Sequence, residues 1–217
     1  AFYSYAHVPW IKGNGQRGYK DSDLPSAALK RQQYEKGKTL LGELGYEEIG
    51  MDHFALETDE LFKSTQEGRL HRNFMGYTTT QAKQMIGLGV SAISDSWNAF
   101  AQNEKKLEDY YKHLNNNQLP VFRGHLLNKE DLLIRQHILN LMCKFETSWS
   151  KNEMYSIQMG DVLIALEEME KDNLVKLSSN HIKVLDEGKT FIRNVCMAFD
   201  LRMKARTPKR KLFSMTI

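Results

Sequence analysis

Cysteine is scarce in this sequence, and the positions of the two cysteines exclude two kinds of site. Cys143 and Cys196 lie far apart in the 217 residues, each within a helix-like amphipathic stretch. This spacing indicates free thiols in a reducing compartment rather than a disulfide framework. The sequence has no CxxC or CxxxCxxC arrangement, so it cannot hold an iron–sulfur cluster by itself. We therefore expect a cytoplasmic chain without disulfides and without a metal centre of its own.

Long apolar runs are absent as well. No stretch approaches the roughly 18 apolar residues of a membrane-spanning helix, and no signal peptide opens the chain. Hydrophobic residues make up 41% of the sequence and charged residues 26%, as in a globular protein that buries a core. We therefore expect no association with membranes. The chain opens without Met on an alternating aromatic stretch, and we expect it to be a fragment of a longer protein.

Acidic residues are missing from the C-terminal tail. After Asp200 the tail carries six Lys and Arg residues and no Asp or Glu, whereas the whole chain has a net charge of +3. The rest of the chain is therefore slightly acidic. A basic tail can bind nucleic acid, but an acidic body offers nearer counter-charges. We expect the tail to pack on the body, and we expect no nucleic-acid partner.

The N-terminal part alternates strands with helices. Residues 1–9 alternate aromatic with small or polar residues, which predicts a strand. Asp21, Ser22 and Ser26 are cap candidates for a helix that ends before Gly45, and residues 46–51 predict a second strand. A strand, a long helix and a strand in this order favour a parallel pair of strands.

Two polar residues follow the second predicted strand. Asp52 and His53 come directly after it, and ligand-binding groups collect at the carboxyl ends of parallel strands. Both are therefore candidate ligand-binding residues. The alternative is that His53 only hydrogen-bonds a neighbouring loop, and the sequence does not decide between the two.

Residues 68–94 combine a basic, aromatic block with a glycine-spaced apolar run. Arg69, His71 and Arg72 are close enough in sequence to form one cationic cluster. The Thr run that follows them predicts a helix cap. Residues 87–94 predict a buried strand whose glycines permit close approach to the backbone. Together these features favour a binding site for a bulky anionic ligand.

The C-terminal part is mainly helical. An extended connector begins at Leu119, and we predict two domains, residues 1–118 and 119–217. The predicted elements of the second domain are, in order, a helix capped at Asn128, a helix over 159–171, a hairpin over 174–184 and a helix after Gly188. This order resembles a winged-helix module. Its second helix is acidic, which argues against DNA binding and favours a packing or cover role.

Five segments of the chain match a known family in the same order. They are YAHVPW (5–10), GMDHFA (50–55), GRLHRNF with GY (68–77), GLGVSAIS (87–94) and LPVFRG (119–124). Over essentially its whole length the chain resembles the C-terminal portion of the oxygen-independent coproporphyrinogen III oxidases, which are radical S-adenosylmethionine enzymes. The RNFxGY block is specific, because haem-chaperone relatives in the same superfamily lack it.

The resemblance implies a fold, a reaction and cofactors. The fold is α/β, the C-terminal part of a partial (β/α) barrel followed by the winged-helix-like module. The cofactors are S-adenosylmethionine, which yields a 5′-deoxyadenosyl radical, and a [4Fe–4S] cluster whose ligands we expect in a missing N-terminal half. The reaction is the oxidative decarboxylation of two propionates of coproporphyrinogen III to vinyl groups, which gives protoporphyrinogen IX in haem biosynthesis. An electron donor and a monomeric full-length enzyme are also implied, and we expect this chain alone to be inactive.

The resemblance also assigns cofactor-binding residues. Ala6 and Ile93 match positions that contact S-adenosylmethionine, and Phe74 and Met75 match a pair beside a second S-adenosylmethionine. Bacterial members of the family carry Gln where this chain has Met75, so an amide is missing there, although Met could still pack at that position. No residue of this chain is assigned as catalytic.

The family's substrate carries four propionates, so cations are needed where it binds. The candidate substrate-binding residues are Arg17, Asp52, His53, Arg69, His71, Arg72 and Arg123. A guanidinium binds a carboxylate through two hydrogen bonds, but each of these arginines could instead form a surface ion pair. The histidines of the N-terminal part lack the close spacing of metal ligands, so we expect no metal site.

Two other functions remain open. One is a haem-binding, chaperone-like relative that keeps the barrel without decarboxylase activity; the RNFxGY block argues against it, and Met75 weakens that evidence. The other is a winged-helix regulator that uses the basic tail on DNA.

Overall fold

A computed structural model of the chain describes residues 1–9, 15–156 and 159–205. The chain divides into two compact units, one of Ala1–Gly68 with Asp200–Ile217 and one of Arg69–Phe199. Both units contain helices, and the strands pair within them, so the predicted mixed α/β class is confirmed. In the described part of the chain no helix combines the length and the apolar character needed to cross a lipid bilayer.

The N-terminal segment of the first unit contains one β-hairpin, two α-helices and two short 3-10 segments among its described residues. In chain order these are two 3-10 segments (Gly15–Gly18 and Asp21–Asp23), α1 (Ala27–Glu43), β1 (Tyr46–Gly50), β2 (His53–Leu56) and α2 (Glu60–Gln66). The predicted end of α1 before Gly45 is confirmed, and of the three predicted cap candidates Ser26 is the one that begins the helix. Ser26 accepts a hydrogen bond from the Leu29 N–H at 3.2 Å, and Gly45 follows the helix with a φ of 82°, a conformation that glycine adopts without strain.

The predicted parallel strand pair is wrong. Residues 1–8 form no strand, and β1 pairs with β2 in antiparallel fashion, with Gly50 opposite His53. The chain reverses within two residues at Met51, whose φ is 50°, so β2 takes the place beside β1. Phe2 donates its N–H to the Asp52 carbonyl at 2.7 Å, which ties the N-terminal segment to this turn rather than along β1. Asp52 and His53 therefore lie at a hairpin turn and not at the edge of a parallel sheet.

The second unit contains most of the regular structure. Its elements are β3 (His71–Asn73), β4 (Gly76–Thr78), β5 (Ile93–Asp95), β6 (Ala99–Asn103), α3 (Leu107–Asn115), β7 (Val121–Leu126), α4 (Lys129–Lys144), β8 (Glu146–Ser148), α5 (Lys151–Ser156), α6 (Met159–Lys171), β9 (Val175–Ser178), β10 (His181–Val184), α7 (Asp186–Lys189) and α8 (Ile192–Phe199). The strands form the hairpin β3–β4 and two three-stranded sheets, ordered β5–β6–β7 and β8–β10–β9. A short helix, α9 (Leu201–Ala205), returns to the first unit.

Helices α4, α6 and α8 enclose the core of the second unit. The buried residues of α8 are Ile192, Val195, Cys196, Ala198 and Phe199; each lies three or four positions from another, so one stripe of the helix faces the core. Helix α4 begins where Asn128 was predicted to cap it: the Asn128 side chain accepts from the Asp131 N–H, and Asp131 returns the bond. The helix over 159–171 and the hairpin near 174–184 are also confirmed.

The apolar run at residues 87–94 is not the predicted buried strand. Only its end belongs to β5, and Leu88 is 87% exposed. The chain folds back on itself here, because Gly89 and Ser91 have φ values of 101° and 63°. The close backbone approach that the glycines predicted is present, since a Cβ on Gly87 would lie 2.7 Å from the Ile93 carbonyl oxygen.

The Thr run after β4 does not cap a helix. No helix begins between β4 and β5; instead the Thr78 hydroxyl accepts a hydrogen bond from the Thr80 N–H at 3.2 Å, which closes a turn. The predicted division after residue 118 falls inside the second unit, where β7 pairs with β6, and that division stays a prediction. Of the basic tail, residues 206–211 lie outside the described residues.

Candidate functional site

One face of the β5–β6–β7 sheet collects several of the predicted site residues. Ile93 pairs with Gln102, which pairs with Arg123, and Asp95 pairs with Phe100. Directly opposed residues in a sheet point to the same side, and so do residues two apart on one strand. We call the side that carries these five residues the site face. It brings Ile93, a predicted cofactor-binding residue, within two strand spacings, roughly 10 Å, of Arg123, a predicted substrate-binding residue.

Gln102 holds the Arg123 side chain on the site face. The Arg123 Nε donates to the Gln102 Oε1 at 2.9 Å, and the Gln102 Nε2 donates to the Ser91 carbonyl at 3.1 Å. The Gln102 amide thus has its orientation fixed from both ends. Arg123 itself is exposed, so its guanidinium is available to a carboxylate that approaches this face.

Phe74 lies over the site face from the neighbouring hairpin. It follows β3 at the tip of the β3–β4 turn, is 53% exposed, and meets the Phe100 ring edge to face at a centroid distance of 5.2 Å. Met75 projects further, with 87% of its surface exposed, and its N–H donates to the Asn73 Oδ1 at 2.8 Å. This hydrogen bond stabilises the turn that carries both residues.

A partly buried ion pair lies at the end of the site face. Arg135, on α4, donates through Nη1 and Nη2 to the two Asp95 oxygens at 3.0 and 2.6 Å, and through Nη1 to the Trp97 carbonyl at 2.9 Å. Its guanidinium also stacks on the rings of Trp97 and Phe100, at 4.4 and 5.0 Å from their centres. Two parallel hydrogen bonds and two stacked rings restrict this side chain to one position.

His71 shares the environment of this ion pair. Burial lowers the pKa of His71, the Arg135 cation lowers it further, and Asp95 partly offsets both. The ring is therefore neutral at pH 7, and a neutral imidazole can both donate and accept hydrogen bonds. Its place beside Arg135 and Asp95 connects β3 electrostatically to the sheet.

Arg69, His71 and Arg72 do not form one cationic cluster. Neighbouring residues on a strand face opposite sides, and the Arg72 guanidinium lies over the Tyr77 ring, 4.6 Å from its centre. Its charge also acts on Cys143 in α4, whose pKa burial raises to about 11 and Arg72 partly lowers. Arg69 precedes β3 and is exposed, and its carbonyl accepts a hydrogen bond from the Gln81 Nε2 at 3.1 Å. Substrate binding by these residues stays a prediction.

The first unit carries the other predicted residues. Ala6 is exposed, and its carbonyl accepts from the Gln16 Nε2 at 2.9 Å. Arg17 belongs to the 3-10 segment Gly15–Gly18, and its side chain lies outside the described residues. Asp52 lies in the β1–β2 turn, and His53 is half-buried at the start of β2. Ligand binding by these residues stays a prediction.

Neither cysteine has the properties of a metal ligand. Cys143 and Cys196 are free and buried, as the sequence indicated for the thiols. Burial raises the pKa of Cys196 to about 12, whereas a thiol must lose its proton to bind a metal. Among the described residues no group of three His, Cys, Asp or Glu side chains is arranged to hold a metal ion.

Sequence reasoning missed Gln102, Asp95 and Arg135. Arg135 and Asp95 are forty residues apart, so no local spacing reports their contact. The one available signal was the position of Asp95 two residues after Ile93, at the end of the predicted strand, the kind of place where a polar residue often serves a site.

Comparison with known proteins identifies close relatives. No protein-family model matches the chain. The oxygen-independent coproporphyrinogen III oxidase of Escherichia coli (strain K12) is 40% identical over 211 residues, which cover 94% of this chain and 46% of that protein. The protein of the same name from Synechocystis sp. is 34% identical over 226 residues, with coverages of 100% and 48%. The chain thus spans about half the length of these curated relatives.

A solved structure gives the same result in three dimensions. Coproporphyrinogen III oxidase from Escherichia coli, described as a radical SAM enzyme, matches with a TM-score of 0.83 and 38% identity, over 91% of this chain and 46% of that one. The match falls on the C-terminal half of that structure. Over nearly its whole length the chain is therefore similar to the C-terminal half of an oxygen-independent coproporphyrinogen III oxidase.

Proposed function

We propose that this chain supplies the C-terminal part of an oxygen-independent coproporphyrinogen III oxidase. The whole enzyme would convert two propionates of coproporphyrinogen III to vinyl groups and so form protoporphyrinogen IX in haem biosynthesis. The observation that carries the proposal is the 40% identity over 94% of the chain to a relative of that name. The site face supports it, because Phe74, Ile93 and Arg123 lie on or over one side of one sheet.

In the second unit, Ile93 would contact one S-adenosylmethionine, and Phe74 and Met75 would lie beside a second one. Phe74 rests on Phe100 yet leaves about half its surface exposed, which suits an aromatic ring that stacks on adenine or a sulfonium cation. Met75 would add thioether packing in place of an amide. In the first unit, Ala6 is the proposed contact. When bound beside a reduced cluster, S-adenosylmethionine supplies the 5′-deoxyadenosyl radical that removes a hydrogen atom from a propionate side chain.

The [4Fe–4S] cluster does not fit the residues of this chain. Both thiols are buried with raised pKa values, on α4 and α8. We therefore place the cluster ligands in the other half of the enzyme, and we expect this chain by itself to be inactive. An electron donor for the cluster, a cytoplasmic location and a monomeric complete enzyme belong to the same proposal.

The propionates would bind to cations and hydrogen-bond donors at the site face. Arg123 is the strongest candidate, because it is exposed and its orientation is fixed by Gln102. Arg69 and the neutral His71 ring would add donors from the β3 side. Arg72 lies over Tyr77, so its contribution would be to the packing of the hairpin. In the first unit Arg17, Asp52 and His53 are the remaining candidates.

We further propose that the part after residue 118 acts as a cover. The order α4, β8, α5, α6, β9–β10, α7 and α8 would be compatible with a winged-helix module. The exposed side of α6 carries Glu167 and Glu168, which would repel a phosphate backbone. A barrel that continues into the other half of the enzyme would complete the fold.

A chimeric enzyme tests the proposed function. The N-terminal part of the Escherichia coli enzyme is joined to this chain, and the cluster is reconstituted without oxygen. With S-adenosylmethionine and a reductant, we expect conversion of coproporphyrinogen III to protoporphyrinogen IX. The product is oxidised and then detected by its fluorescence. The N-terminal part alone and this chain alone are the controls and should give no product. A chimera that is folded by circular dichroism and carries its cluster, yet binds haem and forms no product, would instead support the haem-binding alternative.

A further inference from the structure

Arg135 contacts the end of the strand that carries Ile93 and also the Phe100 ring on which Phe74 rests. It reaches from α4 to Asp95 on β5 and to the Trp97 carbonyl in the turn between β5 and β6. Neither Phe74 nor Ile93 is among the partners of its hydrogen bonds, so any effect on the cofactor must pass through intermediate residues.

Because the ion pair is mostly buried, its stability depends strongly on its geometry. The side chains of Arg135 and Asp95 are 14% and 11% exposed. A charge at such a site is costly unless its partner is present and hydrogen-bonded. The guanidinium meets this requirement with three hydrogen bonds and two aromatic rings. A lysine ammonium at the same position keeps the charge but cannot form the planar fork or stack on the rings.

The first path leads from Arg135 to Phe74. The guanidinium covers the Phe100 ring at 5.0 Å, and Phe100 supports the Phe74 ring at 5.2 Å with an interplanar angle of 82°. Since Phe74 is at the tip of a hairpin and half exposed, Phe100 is the surface that sets its orientation. Displacement of Phe100 would therefore tilt Phe74.

The second path leads from Arg135 to Ile93. Asp95 lies two residues after Ile93 on β5 and on the same side of the sheet. Asp95 also accepts the Trp97 N–H at 2.8 Å and so stabilises the tight turn that follows, in which Trp97 has a φ of 68°. The ion pair thus fixes the end of the strand that presents Ile93.

We propose that Arg135 is a positioning residue that orients Phe74 and Ile93 for S-adenosylmethionine through Phe100 and Asp95. The inference rests on the proposed function, because it assigns a role toward the proposed cofactor. It adds a residue of the C-terminal helical part to the binding of a ligand that this residue does not touch. The charges of Arg135 and Asp95 both act on the pKa of His71, so His71 would report any change in the pair.

The first experiment needs no active enzyme. The methyl groups of Ile93 and Met75 and the ring of Phe74 are isotope-labelled in this chain and observed by NMR in the wild type and in Arg135→Lys. We expect all three signals to shift in Arg135→Lys. The matched control is Arg193→Lys, the same substitution at an exposed position of α8, which should leave them in place. Unchanged signals in a folded Arg135→Lys chain would overturn the proposal.

The second experiment measures cofactor binding in the chimeric enzyme. We expect Arg135→Lys to raise the KM for S-adenosylmethionine about tenfold, because a tilted Phe74 and a displaced Ile93 lose part of their contact with the cofactor. The kcat at saturating S-adenosylmethionine should change less than twofold, and Arg193→Lys should change neither constant. Equal KM values in Arg135→Lys and wild type would refute the positioning role.

The outcomes separate this proposal from the proposed function. A wild-type chimera that fails to bind S-adenosylmethionine contradicts the proposed function whatever Arg135 does to the NMR signals. Should Arg135→Lys fail to fold, Asp95→Asn replaces it, since the amide keeps the shape of the carboxylate and one acceptor oxygen. It should shift the same signals and raise the same KM, because the Arg135 cation loses its carboxylate partner, and wild-type behaviour of Asp95→Asn would count against the proposal.

Discussion

Arg72 and Tyr77 face each other across the β3–β4 hairpin, with the guanidinium carbon 4.6 Å from the centre of the ring. The Tyr77 hydroxyl donates a hydrogen bond to the Met142 carbonyl in the last turn of α4 at 2.8 Å. Burial raises the pKa of Tyr77, and the Arg72 cation partly opposes that rise. This residue pair thus connects the hairpin that carries Phe74 to α4 in the same unit.

Removal of the Tyr77 hydroxyl should loosen this connection. In Tyr77→Phe the ring still supports Arg72, but the Met142 carbonyl loses its buried donor, which costs about 1 to 2 kcal/mol. Urea denaturation should show this decrease in the free energy of unfolding. Tyr111→Phe is the matched control, because Tyr111 is 53% exposed on α3 and should change stability by less than about 0.5 kcal/mol. Equal losses in both variants would contradict a structural role for the Tyr77 hydroxyl.

Arg123 and Arg72 should respond differently to substitution by Gln. Arg123 is exposed on the site face, so Arg123→Gln in the chimeric enzyme should raise the KM for coproporphyrinogen III by roughly 10- to 100-fold, the loss expected for a hydrogen bond to a charged group. The stability of Arg123→Gln should be close to that of the wild type. Arg72 supports Tyr77, so Arg72→Gln should mainly lower the melting temperature. The reverse pattern, with Arg72 controlling KM, would show that Arg72 is the propionate ligand.

Gly87 should not tolerate a side chain. A Cβ at this position would lie 2.7, 2.8 and 2.9 Å from the carbonyl oxygen, carbonyl carbon and nitrogen of Ile93, and a backbone segment cannot yield as a side chain does. We expect Gly87→Ala to lower stability by about 1 to 3 kcal/mol and to shift the Ile93 methyl signal. Gly160→Ala is the control, because no heavy atom lies within 4 Å of the added Cβ and alanine is the better helix former. A Gly87→Ala chain as stable as Gly160→Ala would contradict the close approach.

Local signals explain which parts of the fold the sequence predicts. Helix limits are correct where a cap and a stop lie next to the helix, as Ser26 and Gly45 do for α1 and Asn128 does for α4. The hairpin β9–β10 is also local. Strand partners are not local, because alternation reports that a segment is extended but not what it pairs with. For this reason the parallel pair was wrong, and β1 pairs with the strand directly after it.

The sequence predicted which residues belong to the candidate site but not how they are arranged in space. Ile93, Phe74 and Arg123 were chosen through a family resemblance, and their common place on one sheet face follows from the register of three strands. The ion pair of Arg135 with Asp95 joins residues forty positions apart. No spacing rule reaches that distance, so such contacts emerge only from the three-dimensional structure.

His137 should make stability depend on pH in the mildly acidic range. Its side chain on α4 is 2% exposed, hydrogen-bonds the Thr147 hydroxyl at 2.9 Å and packs against the rings of Trp149 and Phe199. Burial lowers the pKa of His137, and the Glu153 charge only partly opposes this. In the unfolded chain a histidine titrates near pH 6.5. Below that value the unfolded state therefore binds a proton that the folded state does not, and the free energy of unfolding decreases as the pH falls.

A substitution that cannot titrate tests this pH dependence. One proton changes the free energy of unfolding by at most about 1.4 kcal/mol per pH unit, and His137→Phe should remove part of the slope between pH 7.5 and 5.5 while it keeps an aromatic ring against Trp149 and Phe199. His71, whose pKa is also lowered by burial, contributes to both proteins, so the difference between their slopes in urea denaturation belongs to His137. Thr147 retains its hydrogen bond from Asn140, which limits the loss of stability at pH 7.5. Parallel slopes for the wild type and His137→Phe would mean that His137 gains its proton as readily in the folded chain as in the unfolded one.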